Sequence, residues 1–177
     1  MKISKKQRMI ILASIVFVLL SLWFVFGRNL DFTRKRTDDS TVMPEATGTT
    51  ERISENIVVE QSFTNTSETI ERVGIVFYRI QYLEGVNVVL ELWQGNRVVA
   101  SNVYPVYQIE GEHRTFIVPE TVITDAKDKD FKIRIYAEDG SDMGLALMVD
   151  EKADSSYKFG SMTGKGTLCF AVVEADN

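Results

Sequence analysis

FKIRIYAE, residues 131–138, alternates without a break: Phe131, Ile133, Ile135 and Ala137 point one way, and Lys132, Arg134, Tyr136 and Glu138 the other. A period of two is the signature of a strand with one buried and one solvated face. The pattern recurs to either side. Val73, Ile75 and Phe77 alternate with Arg72, Gly74, Val76 and Tyr78, and Val88, Leu90 and Leu92 alternate with Val89, Glu91 and Trp93. Strand-like runs also cover residues 57–63, 97–104, 114–118, 145–149 and 167–173, which brings the expected total to eight. Turn signals separate them: Gly95-Asn96 forms a two-residue loop, Asp139-Gly140 ends a run, and Pro105 and Pro119 stand where strands stop. With no amphipathic helix among them, eight short one-faced strands predict an all-β antiparallel sandwich over residues 57–177.

Upstream the chain changes character twice. Residues 1–8 carry Lys2, Lys5, Lys6 and Arg8 with no acid, and residues 9–27 carry no charge. Nineteen uncharged, mostly apolar residues at about 1.5 Å each reach roughly 28 Å, enough to cross a bilayer and longer than an ordinary signal-peptide core. The expectation is a basic cytoplasmic tail (1–8), an uncleaved transmembrane signal anchor (9–27) and an extracytoplasmic remainder. Residues 28–56, polar and aperiodic, read as a flexible linker.

Of the 20 basic residues five lie within residues 1–28, where there is no acid, so the exported part sets 15 bases against all 25 acids and carries a net charge of −10. Such a balance excludes nucleic acid as a natural partner. Cys169 is the single cysteine, so no intramolecular disulfide forms, and an export domain resting on its core alone suits a Gram-positive-type envelope. The Asn65-Thr66-Ser67 sequon is read as incidental.

The runs IVVEQSF, IERVGIVFYRI, VVLELWQGNRVVAS, VITDAKDKDFKIRIYAEDG and KFGSMTGKGTLCFAVV resemble an extracytoplasmic jelly-roll module of bacterial envelope proteins. Such modules are similar to carbohydrate-binding modules and galactose-binding-like domains. The resemblance spans about residues 57–174 and implies a membrane-anchored module that recognises cell-surface glycan. It also implies that the third and sixth strands are neighbours in one sheet.

Chemistry-bearing residues are few. His113, the only histidine, sits in the polar run EGEHR and reads as a turn residue, so no triad and no histidine metal site is expected. Cys169 reads as a packed thiol. Asp125, Asp128 and Asp130, or Asp139, Ser141 and Asp142, lack the spacing of a calcium loop, and no carboxylate pair stands out for glycoside hydrolysis. The chain is expected to be no enzyme and to need no metal or cofactor. The candidate ligand-binding residues are Trp93, Tyr136, Arg134 and Glu91, all on outward positions of their strands. A flat indole and phenol beside charged hydrogen-bonding groups suit a sugar ring. Two other expectations stand beside this one: that the aromatics merely cover the sheet, or that the domain is a non-catalytic assembly protein that binds an envelope membrane protein and no sugar.

Overall fold

The structure, a computed structural model, describes residues 45–175. The expected tail, the apolar segment and the first part of the linker lie outside the described residues. No helix among the described residues is long and apolar enough to cross a membrane.

Among the described residues twelve strands follow one another: β1 (Gly48–Thr49), β2 (Val59–Thr64), β3 (Arg72–Arg79), β4 (Asn87–Gln94), β5 (Arg97–Pro105), β6 (Arg114–Ile117), β7 (Asp130–Ala137), β8 (Leu145–Asp150), β9 (Ser156–Phe159), β10 (Met162–Lys165), β11 (Thr167–Leu168) and β12 (Phe170–Val173). They form two antiparallel sheets. In the first the order is β1-β8-β3-β12, with β6 also on β3 and β11 on β8; in the second it is β10-β9-β2-β7-β4-β5. The alternation of β7 is realised: Phe131, Ile133, Ile135 and Ala137 are buried, and Lys132, Arg134 and Tyr136 are only partly so. Gly95-Asn96 turns β4 into β5 as expected, with Gly95 at φ +58°. Ile75, Phe77, Leu90, Leu92, Ile133, Ile135 and Leu147 meet in one apolar core drawn from both sheets.

β3 departs from the one-faced reading, since Gly74 and Val76 are buried as well. The Phe116 ring lies over Gly74, where an added Cβ would come within 3.0 Å of it, and the Arg72 guanidinium covers that ring at 4.8 Å. Long neighbours thus cover the outer side of the strand.

Four strands exceed the expected eight: β1, β9, β10 and the extra piece made by dividing the last run. The stretch 45–56, read as the end of the linker, already belongs to the fold: Gly48 and Thr49 pair with Val149 and Met148, and Ile53 is fully buried. Its polar composition hides this because backbone hydrogen bonds, including Thr50 N–H to Leu147 O at 2.8 Å, need no apolar side chain. In the β9–β10 hairpin β9 alternates over only four residues, with Ser156 and Lys158 exposed and Tyr157 and Phe159 turned inward, and β10 carries threonine, glycine and lysine without an apolar period. The last run is divided at Cys169. β11 pairs with β8 and β12 with β3, while the Cys169 N–H donates to Met148 O (2.8 Å) and its carbonyl accepts from Val76 N (3.1 Å).

Side chains of the second sheet stitch it to the backbone of the first. Asn102 Oδ1 on β5 accepts from Val118 N (2.7 Å), and the Tyr104 hydroxyl donates to Phe116 O (2.7 Å). Gln61 on β2, 1% exposed, donates to Ser156 O (3.2 Å) on β9 and accepts from Leu168 N (3.2 Å) on β11.

Candidate binding site on the outer face of the second sheet

Pairing of β4 with β7 decides what the outward side chains meet. Glu91 stands opposite Arg134, Trp93 opposite Lys132, and Val89 opposite Tyr136. On the other side of β7, Glu60 stands opposite Arg134. One line across the sheet therefore reads Lys158, Glu60, Arg134, Glu91, Ser101, with charges alternating over its first four members. Opposite charges on facing strand positions favour this register over its slipped alternatives.

All four residues singled out from the sequence come together around Glu91. Glu91 is 9% exposed, and its carboxylate accepts from Trp93 Nε1 at Oε2 (2.8 Å) and from the Tyr136 hydroxyl at Oε1 (2.9 Å). Burial, and then the hydrogen bond to Glu91, raise the Tyr136 phenol above its ordinary value, so it remains a neutral donor well into the alkaline range. Arg134 lies between the rings, its guanidinium carbon 5.8 Å from the Trp93 ring centre and 5.2 Å from that of Tyr136. Its charged neighbours are Glu60, 3.7 Å from Nε, and Glu91, 3.9 Å from Nη1, both beyond hydrogen-bond range.

Two members of the patch escape sequence reasoning as site residues. Lys132 donates to Glu60 Oε1 (3.1 Å) and stands 5.4 Å from the centre of the Trp93 ring. Its outward position is legible from alternation. Glu60 enters only because β2 lies beside β7, a pairing between strands some seventy residues apart that no local pattern announces. A bulge between Leu92 and Trp93 brings Val98 of β5 opposite Trp93, and Val98 is 37% exposed there. Bulges bend a strand locally and re-aim its side chains.

The remaining candidates take structural parts. Cys169 is buried, and burial pushes its thiol up to about 11. His113 is exposed, and its N–H reaches back to Glu110 O (3.4 Å) in a turn. Asp130 accepts from the Thr64 hydroxyl, Asp139 from Ser141 N, and Asp142 from both Gly144 N and Arg52 Nε. Burial works to raise the Asp142 carboxyl, and the bonds from Arg52 and Gly144 more than offset it. Asn65 is 2% exposed, its amide donating to Ser67 O (2.6 Å) and Ala126 O (3.2 Å). That nitrogen is closed to a glycan.

No known family model, curated protein or solved structure matches this chain.

Proposed function

We propose that the chain is a non-catalytic, membrane-anchored jelly-roll module on the outside of the cell, and that it holds a cell-surface glycan against the outer face of its second sheet. The observation that carries this reading is Glu91, whose single carboxylate fixes both aromatic side chains of the patch. Rings held in one orientation before the ligand arrives lose little entropy on binding, which favours stacking of a sugar on them. Arg134, held by the rings but hydrogen-bonded to neither carboxylate, retains donors for sugar hydroxyls. The decisive experiment applies purified full-length protein and its Trp93→Ala variant to an array of bacterial surface glycans. Retention of the native protein but not of the variant is the expected result; retention of neither, or of both, removes the reading. The anchor is tested by protease added to intact cells, which should degrade the C-terminal domain.

A second reading draws on the first sheet. Tyr78 and Ile80 are 43% and 46% exposed and continue the outward positions of β3 beyond Val76. An exposed apolar stripe suits an envelope assembly protein that contacts a membrane protein and binds no sugar.

A further inference from the structure

We infer that the site prefers uncharged to acidic sugars, that the balancing of Arg134 and Lys132 by Glu60 and Glu91 sets this preference, and that Arg134 supplies the donors; the inference rests on the glycan reading above. The Arg134 charge is countered from both sides, by Glu60 at 3.7 Å and Glu91 at 3.9 Å. Lys132 is likewise taken by Glu60 at 3.1 Å. A carboxylate arriving with a ligand thus meets no uncompensated cation in the centre of the patch. The two cations and the two carboxylates of this cluster balance, so it offers an acidic ligand no net attraction. The net −10 of the exported part repels it from further away.

Hydrogen bonding points the same way for a separate reason. At 3.7 and 3.9 Å the carboxylates balance the guanidinium charge without accepting its N–H groups. The side chain is 34% exposed, so its terminal nitrogens remain open to a ligand while its Nε is buried without a hydrogen-bond partner. Charge-balanced donors of this kind suit an acceptor that brings no charge of its own, and a sugar hydroxyl is such an acceptor. Trp93 and Tyr136 on either side supply the apolar surface for the C–H faces of the same sugars.

The test uses full-length protein in detergent and uronic-acid-containing capsular polysaccharides, each printed in native form and after carboxyl reduction, which replaces every carboxylate by a neutral hydroxymethyl group. The reduced forms should bind at least about tenfold more tightly than their acidic parents. Glu60→Gln removes one of the balancing charges without touching either aromatic, and it should shrink that ratio. Arg134→Gln should weaken binding of the reduced forms, with circular dichroism confirming that both variants are folded. Equal or tighter binding of the acidic forms overturns the inference and leaves the glycan reading standing, as does a ratio unmoved by Glu60→Gln or binding of the reduced forms unmoved by Arg134→Gln. Absence of binding to either form, or binding indifferent to Trp93→Ala, removes the glycan reading and the inference with it.

Discussion

Glu91 and Arg134 face each other across β4 and β7, yet their charged atoms stand 3.9 Å apart and form no hydrogen bond. The cause is competition within the patch: the carboxylate oxygens are already engaged by Trp93 and Tyr136. Arg134 is held instead by the two rings and by a pair of carboxylates acting at a distance. What a strand diagram shows as a cross-strand ion pair is a carboxylate that orients aromatics and a guanidinium that keeps its donors.

This shared acceptor predicts coupling. Trp93→Phe and Tyr136→Phe each keep a ring and delete one donor to Glu91, and each should cost about 1 kcal/mol in urea denaturation. Because both act on one carboxylate, the double variant should depart from the sum by at least about 0.5 kcal/mol. Strict additivity would show that the two bonds are independent of each other.

Gln61 joins strands of both sheets from a nearly solvent-free position. Gln61→Ala strips a partner from Leu168 N and Ser156 O and leaves a cavity, for an expected loss of about 2 to 4 kcal/mol, read as a lower urea midpoint. A change below about 0.5 kcal/mol would mean that the seam closes without it.

Cys169 offers a test in pH. Its thiol is raised to about 11 in the folded protein by burial and, secondarily, by the charge of Asp150, whereas in the unfolded chain it titrates near the ordinary thiol value. The folded state thus favours the neutral thiol, so this contribution is complete below the unfolded value and declines as pH rises from there toward 11. Between pH 8 and pH 10.5 the native protein should lose on the order of 2 kcal/mol more stability than Cys169→Ala, since tyrosines are common to both. At pH 8 the native thiol should resist a disulfide reagent until denaturant is added. Rapid labelling of the folded protein would place the thiol at the surface.

Asn65 stands in a sequon, but its amide is buried and donates to two carbonyls. Expression through a glycosylating secretory pathway should give folded protein without added mass at Asn65, as judged by mass spectrometry before and after glycosidase treatment. A glycan on folded protein would contradict the burial.

The sequence by itself determined the period-two strands, the Gly95-Asn96 turn, and the outward placement of Glu91, Trp93, Arg134 and Tyr136, because alternation is a local consequence of strand geometry. It placed Lys132 outward for the same reason. Tertiary structure alone decided that Glu60 joins the patch, that both aromatics donate to one carboxylate, and that Gln61 ties one sheet to the other. It also drew Gly48, Thr49 and Ile53 into the fold and split the last run at Cys169. Those outcomes depend on which strands pair and in what register, and pairing is settled by long-range backbone hydrogen bonds and packing that leave no periodic trace in the chain.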